Sequence, residues 1–435
     1  MTAIGRIWAI ASMTLIEARR RKVFTILLLF GIALLSSVLF FPSVEMESRL
    51  RLIEVWALRA SALFTAIVGL FLAGFSLPQD FENKRIYMVV TKPVSKSFVF
   101  LGKYVGYVLL LALFIGTMGV ITVAFLRTVK LFSGEKFPAL VAYPRVPADG
   151  LAHPGGEALE HEEGKDEAEA AVEFGPERSL VWTFRGLRRS SFDDTVRVQA
   201  RLIFGAKNDQ YRSSGSVQYA VRGRRGEAPH TGKLDMNTNE EREFTFPAAL
   251  IGDDGSLAVE IRAGDSDGII AGARPWVVLY EKSMLFELAF LRGLVLILFQ
   301  SMVVLSITLM SSTFLSAPLS ILLGILLYMV GSVYGYIRDG TREIDHSLAE
   351  IRTSKEKKQT PQDIPVGLLW FSAELSKGVL KVTPDFDHFD FSVWLLRDHA
   401  VSWGELGVAG GKALPPILVL VALGTLVMAF KDFDR

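Results

Sequence analysis

Long apolar runs constrain this chain more than any other feature of its sequence. A bilayer core about 30 Å thick is crossed by a helix of about 20 mostly apolar residues, and several segments approach or exceed that length. They are 23–41, 57–77, 102–126, 285–310, 318–337 and 414–430. Glu287 and Arg292 lie in the first turns of the fourth run, where they fit the membrane interface or pair with each other. The pattern predicts a polytopic α-helical membrane protein with about six transmembrane helices.

The composition excludes several other classes of protein. Of 435 residues, 50% are hydrophobic and only 21% are charged, which is too apolar for an ordinary soluble enzyme of this length. The formal net charge of +1 provides no basic field for binding nucleic acid. Because cysteine is absent, disulfides, thiolate metal sites and cysteine nucleophiles are excluded. Structure outside the membrane must therefore be held by packing alone.

Basic residues in short segments predict the orientation. A basic cluster precedes the first run: Arg19, Arg20, Arg21 and Lys22. These residues should remain in the cytoplasm, where they orient and anchor an amphipathic elbow helix at 1–22. The run after them is longer than a signal-peptide core and is followed by further runs, so it is interpreted as a retained span. The loop 78–100 also carries more basic than acidic residues, which predicts that it and both termini are cytoplasmic.

A change of periodicity marks an inserted domain between the third and fourth runs. Residues 128–179 are rich in proline, acids and alanine, and they predict an extracytoplasmic linker. From 180 to 284, apolar and polar residues alternate in short segments such as TVRVQARLIF, separated by Gly, Asn and Asp turns. This pattern predicts a mainly-β extracytoplasmic domain, a small antiparallel sandwich or jelly roll.

Two short motifs in the outer regions have a chemical alternative. GDSDG at 264–268 has the spacing of a nucleophile elbow around Ser266, but an elbow requires a strand-to-helix turn and this copy lies between strands. TPDFDHFD at 383–390 contains potential metal ligands, yet its alternation with Phe386 and Phe389 equally describes a turn that inserts two aromatic rings. The turn is the favoured interpretation of both motifs, so neither a catalytic residue nor a metal site is predicted.

The second outer region, 338–413, combines amphipathic and interfacial segments. Apolar residues recur every three or four positions over 344–351, which predicts an amphipathic helix. Two tryptophan-rich apolar segments follow, and both are interrupted by polar residues. They fit short helices at the membrane interface, with Trp370, Trp394 and Trp403 as anchors.

Motifs for nucleotide hydrolysis and for ion coupling are missing from the sequence. The segment nearest to a phosphate-binding loop, GVAGGKA at 407–413, displaces the first glycine and lacks the required Ser or Thr. The chain is therefore not expected to be an enzyme or to bind a cofactor directly. The spans carry no chain of acids or histidines suited to a proton relay, which disfavours ion-coupled transport.

Several segments together resemble the ABC-2 type transporter permeases, particularly the NosY-like branch. They are EARRRKVF before the first run, LPQDFENKRIYMVVTKPVSKSFVFLGKYVG after the second, SSTFLSAP between the fourth and fifth, and TPDFDHFD before the last. The resemblance covers the membrane parts and leaves an enlarged extracytoplasmic insertion at 128–284 uninterpreted. It implies a dimer, formed from two copies or from a related pair, in which a separate cytoplasmic ATPase binds ATP and Mg.

The resemblance also implies that the loop after the second run is a coupling helix that inserts into the ATPase. Carried over, that role falls on Asp80, Phe81, Glu82, Asn83, Lys84, Arg85 and Tyr87. Charged groups around aromatic anchors are the usual composition of a protein interface. Pro78 fits the start of this helix and Pro93 its end. The alternative is that the basic residues only enforce topology and contact lipid headgroups.

These interpretations divide the chain into consecutive parts. They are an elbow helix at 1–22, three transmembrane helices at 23–127 with the coupling loop at 78–100, a linker at 128–179, a β-domain at 180–284, two transmembrane helices at 285–337, interfacial helices at 338–413, and a last transmembrane helix with a cytoplasmic tail at 414–435. The resemblance and the orientation together predict a multi-pass protein of the bacterial cytoplasmic membrane.

The function predicted from these features is the permease subunit of an ABC transporter, coupling ATP hydrolysis by its partner to export or to mechanical signalling. The alternative is a membrane-anchored scaffold whose β-domain recruits a periplasmic partner, although one span would suffice for that. An outer-face hydrolase that uses Ser266 or His388 is the least supported hypothesis.

Overall fold

The computed structural model describes most of the chain, and contacts divide it into two units. The described residues are 3–20, 25, 29, 32–33, 36, 46–82, 96–132, 141–152, 172–174, 179–206, 214–223, 228–238, 240–264, 268–273, 276–353, 366–386, 389 and 399–430. The helical unit comprises Met1–Leu140, Phe286–Arg397 and Trp403–Arg435, and the β unit comprises Val141–Leu285 and Asp398–Ser402.

The helical unit is built from long apolar helices. Its described helices are α1 (Ala3–Arg20), α2 (Met46–Glu82), α3 (Lys96–Phe132), α4 (Phe286–Ser311), α5 (Ala317–Ser332), α6 (Tyr334–Thr353), α7 (Val366–Val382) and α8 (Trp403–Phe430). Within the described residues, α2, α3, α4 and α8 are each long and apolar enough to cross a membrane. The apolar run predicted at 23–41 lies largely outside the described residues.

The fifth predicted span is bent. The run 318–337 was predicted as one helix, but α5 ends at Ser332, and α6 begins at Tyr334 after a bend of 60°. The last carbonyls of α5 have partners outside the regular helical ladder, since Gly331 O accepts the backbone N–H of Phe386 at 3.3 Å. Counted as one bent span, α5 and the start of α6 bring the candidate spans in the described residues to five.

Prolines do not end the helices at the positions predicted from the sequence. Pro78 was predicted to start a helix, but it lies inside α2, which continues to Glu82. The last span was predicted to start at 414, whereas α8 begins at Trp403 and runs through Pro415 and Pro416. A proline removes one backbone N–H, and neighbouring groups in a helical bundle can satisfy the carbonyl that this frees. The segment between α2 and α3 is therefore 83–95, which is shorter than the predicted loop at 78–100.

The two helices α6 and α7 are joined by an ion pair. Lys377 on α7 donates to Asp345 on α6 at 2.9 Å and to Glu374 at 3.3 Å. The hydrogen bond to Asp345 is the main reason why the pKa of Lys377 is raised. The amphipathic helix predicted around 344–351 is present as α6.

The β unit contains short strands in antiparallel sheets. The strands are β1 (Val141–Pro147), β2 (Gly150–Ala152), β3 (Val172–Phe174), β4 (Ser179–Phe184), β5 (Thr195–Arg201), β6 (Ile203–Ala206), β7 (Ser214–Arg222), β8 (His230–Asn237), β9 (Glu241–Pro247), β10 (Leu257–Ala263), β11 (Gly268–Gly272), β12 (Val277–Tyr280), β13 (Met284–Leu285) and β14 (His399–Ala400). One sheet has the order β13-β1-β12-β5-β9, with β14 parallel to β1. A second sheet has the order β2-β4-β10-β7-β8, and a third has the order β3-β11-β6.

The first two sheets share one hydrophobic core. Trp182 on β4 and Val259 on β10 contribute from one sheet, while Val198 on β5 and Leu279 on β12 contribute from the other, and all four are fully buried. Alternation along β4, β5 and β10 places their apolar side chains on the inner face, as expected for two antiparallel sheets packed together, whereas β12 is buried at all four positions. This region is therefore mainly β, as the alternating sequence pattern predicts.

The β unit begins earlier than the β-domain predicted at 180–284. Strands β1, β2 and β3 all lie in 128–179, for which the sequence predicts a linker. Strand β1 has the sequence VAYPRVP, and its two prolines gave it the composition of a linker. Nevertheless, β1 pairs with β12, and Ala148 and Leu151 beyond it join the core.

Candidate coupling site

A buried ion pair joins the last turns of α2 to the first turns of α3. Lys103 on α3 is in direct contact with the carboxylate of Asp80 on α2. The Lys103 ammonium also donates to Ser76 Oγ at 2.9 Å and to the Ser76 carbonyl oxygen at 3.3 Å. Only 9% of the Lys103 side chain and 12% of the Asp80 side chain are exposed. A charge buried to this extent requires a partner, and each of these two residues provides one for the other.

The predicted coupling residues fall into three groups. Asp80 is buried in this ion pair, and Phe81 and Glu82 are the last residues of α2. The other coupling residues lie outside the described residues: Asn83, Lys84, Arg85 and Tyr87. Of the seven, the structure therefore places only Asp80 in a described side-chain contact, and that contact is with the chain's own helix.

The N-terminal helix α1 packs on α3 beside Lys103. A Cβ on Gly102 would lie 2.6 Å from Ile10 Cβ, and a Cβ on Gly106 would lie 2.8 Å from Thr14 Cβ and 2.9 Å from the carbonyl oxygen of Ala11. Since real Cβ atoms do not approach other atoms so closely, these two glycines allow α1 and α3 to pack at short range. Arg19 and Arg20 end α1, while Arg21 and Lys22 lie outside the described residues.

Three other helix ends lie near the start of α3. Ser97 Oγ donates to the carbonyl oxygen of Thr425 on α8 at 3.4 Å. The C-terminal end of α8 and the turn between α4 and α5 together line an open apolar groove of about 530 Å³. Its lining residues are Thr313, Phe314, Leu426, Val427 and Phe430. Hence the end of α2, the turn after α4 and the end of α8 lie at the same end of the helical unit as the start of α3, the end predicted to be cytoplasmic.

Charged residues also meet at the opposite end of these helices. Arg127 near the end of α3 donates to Glu287 in the first turn of α4 at 2.8 Å. The Arg292 guanidinium lies 4.4 Å from the ring centroid of Trp403, at the start of α8. Trp403 is 70% exposed, and Trp370 on α7 is also exposed. The third predicted anchor, Trp394, lies outside the described residues.

The structure describes only part of the two motifs that were weighed as catalytic or metal-binding, GDSDG at 264–268 and TPDFDHFD at 383–390. Ser266 and His388 both lie outside the described residues. Phe386 and Phe389 are described, and both are buried, with Phe386 packed against Tyr328 and Gly331. These two phenylalanines insert into the helical unit, as the turn interpretation of TPDFDHFD predicts. Among the described residues there is no cluster of three potential metal ligands.

Two members of this site were not predicted from the sequence, namely Lys103 and Ser76. The signal for Lys103 was present, because this residue lies inside the apolar run 102–126 and a charge within a span requires a partner. The quoted stretch that ends in FLGKYVG contains both Asp80 and Lys103, so the two halves of the ion pair come from one motif.

Comparisons with known proteins found matches among solved structures but not among protein families or curated proteins. No protein-family model and no curated protein matches the sequence. One similar solved structure is titled "CBM4 structure and function"; it is 11% identical, with a TM-score of 0.16, and the match covers 34% of this chain and 83% of the other. Another is the CBM22-1-GH10 modules of endo-1,4-beta-D-xylanase 10B from Clostridium thermocellum complexed with xylohexaose; it is 9% identical, with a TM-score of 0.17, and covers 34% of this chain and 29% of the other. TM-scores this low do not establish a shared fold.

Proposed function

We propose that this chain is the transmembrane permease subunit of an ABC transporter of the ABC-2 type. A separate cytoplasmic ATPase binds and hydrolyses ATP, and the permease converts that hydrolysis into export or into a mechanical signal across the bacterial cytoplasmic membrane. Two permease subunits, identical or related, form the transmembrane part, and the β unit lies outside. The permease itself carries no catalytic residue.

The observation that carries this proposal is the charged segment 83–95, held between two helices of span length. The ends of α2 and α3 that bracket it are joined by Asp80 and Lys103, so a force applied to the segment reaches both helices. Lys84, Arg85 and Glu82 supply the polar rim of an interface, and Tyr87 supplies an aromatic anchor. A loop that served only as a topology signal would need basic residues but neither acids nor aromatic rings.

The proposal is tested by isolating the full-length tagged chain from its own host in mild detergent and identifying the proteins that accompany it. We expect an ATPase with a phosphate-binding loop to accompany the unaltered chain. A variant that combines Glu82→Lys with Arg85→Glu should lose this partner, because both changes reverse charges in the proposed interface.

A matched control reverses the same two charge types in the β unit. Lys233 and Asp235 are exposed on β8, so Lys233→Glu combined with Asp235→Lys leaves the net charge unchanged, as the test variant does. The control should retain the ATPase. Absence of any ATPase from the unaltered chain, under conditions that preserve the dimer, would contradict the proposal.

The second candidate function is a membrane-anchored scaffold whose β unit recruits a periplasmic partner. The separate hydrophobic core of the β unit favours this alternative, since such a unit can in principle fold and bind by itself. The two functions differ in one observable result. A scaffold would still recruit its partner when the β unit is attached to the membrane by a single unrelated helix, whereas a permease would not function in that form.

A further inference from the structure

The position of Asp80 differs from that of a residue in an exposed protein interface. Its carboxylate is almost enclosed and is in contact with Lys103, which is itself enclosed. A residue that bound the ATPase would have to break this contact and leave the Lys103 charge buried and unpaired, which is strongly unfavourable. The contacts of Asp80 therefore point inwards, to α3.

The contacts of Lys103 also lie on both sides of the proline in α2. Pro78 has no backbone N–H, so the carbonyl oxygen of Gly74 loses its usual helical partner. Ser320 Oγ on α5 lies 3.5 Å from this carbonyl oxygen but 3.0 Å from the Ala317 carbonyl oxygen, so it makes up for the missing donor only weakly. Lys103 then contacts Ser76 before the proline and Asp80 after it. These contacts hold the last turn of α2 in line with the rest of the helix, although the helix lacks the backbone hydrogen bond that Pro78 cannot donate.

We infer that Asp80 and Lys103 are positioning residues that fix the base of the segment 83–95, and that Asp80 does not bind the ATPase. The pair keeps the last turn of α2 and the first turns of α3 together, so these two helix ends move as one body when the ATPase acts on the segment between them. Because α1 packs on Gly102 and Gly106 around Lys103, α1 moves with them. The coupling role of this body rests on the proposed function, whereas its rigidity does not.

The rigidity is tested in the full-length chain by measuring a distance between two spin labels. The chain has no cysteine, so Gln79→Cys and Lys96→Cys introduce the only labelling sites, both partly exposed and on either side of the pair. In lipid nanodiscs the unaltered pair should give one narrow distance distribution. Asp80→Asn and Lys103→Met should each broaden or split it, and exchanging the charges with Asp80→Lys and Lys103→Asp should narrow it again.

Two further variants are controls, one for misfolding of the charge-exchanged pair and one for the unspecific effect of removing an ion pair. Lys103→Arg keeps the charge and should keep the narrow distribution, even if the exchanged pair fails to assemble. Asp345→Asn removes an ion pair of the same chemistry between α6 and α7, and it should leave the distribution unchanged. Unchanged distributions in both Asp80→Asn and Lys103→Met would overturn the inference.

The coupling role is tested in the complex with the ATPase. Asp80→Asn should retain the ATPase at the level of the unaltered chain, while the combined Glu82→Lys and Arg85→Glu variant loses it. For the retained complex, we expect a lower kcat for ATP hydrolysis with an unchanged KM, because nucleotide binding is intact and transmission is not. Loss of the ATPase from Asp80→Asn would show that Asp80 is a contact residue and would overturn the inference. If the unaltered chain binds no ATPase, the proposed function fails, and the distance measurement still decides whether the pair is a rigid joint.

Discussion

Tyr280 on β12 is a buried polar residue whose hydroxyl donates a hydrogen bond within the β unit. It donates to Gln199 Oε1 at 2.7 Å, and Gln199 Nε2 donates in turn to Glu241 at 3.1 Å. Burial raises the pKa of Tyr280 well above its usual value of 10.0, and the nearby Arg145 charge opposes this rise only in part. The side chain therefore stays a neutral hydrogen-bond donor in the folded β unit.

We expect Tyr280→Phe to destabilise the β unit by about 1–3 kcal/mol, because the Gln199 oxygen loses its donor while it stays buried. The substitution should also change the pH dependence. Above pH 10.0 the unfolded chain releases the Tyr280 proton while the folded chain retains it, so the free energy of unfolding falls as pH rises. In the phenylalanine variant this part of the fall should disappear.

The measurement is urea unfolding of the full-length chain, followed by near-ultraviolet circular dichroism at pH values below and above 10.0. Tyr336→Phe is the matched control, since Tyr336 is 83% exposed and the same hydroxyl is removed without opening a buried network. Equal unfolding free energies and equal pH slopes for the two variants would refute the assigned role of Tyr280.

The pair of Asp80 and Lys103 shows that a single sequence does not reveal which residues contact each other. The sequence predicts that Asp80 belongs to the coupling region, and it shows a lysine inside the third apolar run. It does not show that α2 continues past Pro78, and only this continuation brings the carboxylate level with Lys103. The pairing depends on where two helices end, and composition cannot determine that.

At the scale of elements, periodicity predicted the strands whose inner and outer faces differ. Strands β5, β7, β9 and β10 lie where apolar and polar residues alternate, whereas β12 is apolar and buried at all four positions. Strand β1 was missed, because its prolines argue against a strand although its other residues pair with β12. The apolar runs predicted the long helices in the same way, but not their ends, since α2 and α8 continue through prolines.

The early strands predict how the β unit can be isolated. A fragment of residues 141–285 should fold, whereas the shorter fragment 180–284 should not. The shorter piece lacks β1, which leaves β12 unpaired on one side, and it removes Ala148 and Leu151 from the core. Far-ultraviolet circular dichroism and size-exclusion chromatography of the two fragments provide the test. A folded, monomeric 180–284 fragment would show that β1 and β2 are dispensable.

The packing of α1 on α3 gives a second prediction for an element. Gly106→Leu should displace α1, because the new side chain would overlap Thr14 and Ala11, and overpacking of this kind costs about 1–3 kcal/mol. Gly116→Leu is the control on the same helix, since a Cβ at Gly116 meets nothing within 4 Å. In hydrogen exchange with mass spectrometry, the backbone amides of α1 should exchange faster in Gly106→Leu than in the unaltered chain. In Gly116→Leu their exchange rate should be the same as in the unaltered chain. Equal protection of α1 in both would contradict the close packing.

For the whole molecule, the distribution of buried surface separates inner from outer helices. In α2 and α4, 67% of the most apolar window is buried inside the helical unit, compared with 22% in α8. The large apolar side chains exposed on α8 include Leu414, Leu418 and Leu426. A helix that is apolar on its exposed side requires lipid or another apolar helix around it. This distribution is what a membrane protein needs, and it gives α8 an outer position.

The proposed topology predicts on which side of the membrane each helix end lies. The β unit is followed by α4 and then by the turn that contains Phe314, which is 56% exposed. If α4 crosses the bilayer, a residue of the β unit and Phe314 must lie on opposite sides. Lys381 at the end of α7 is exposed and comes after the bent pair, so it should lie on the same side as the β unit if α5 and the start of α6 form one span.

Because the chain has no cysteine, three single variants can measure this directly: Lys233→Cys, Phe314→Cys and Lys381→Cys. In intact spheroplasts, a membrane-impermeant maleimide should label the first and third variants, and it should label the second only after permeabilisation. The reverse pattern would mean that the orientation predicted from the basic residues is wrong. Labelling of Phe314→Cys together with Lys233→Cys from outside would mean that α4 does not cross. Failure of Lys381→Cys alone to be labelled would mean that α5 and the start of α6 return to the inner side, so that they form a re-entrant pair rather than a span.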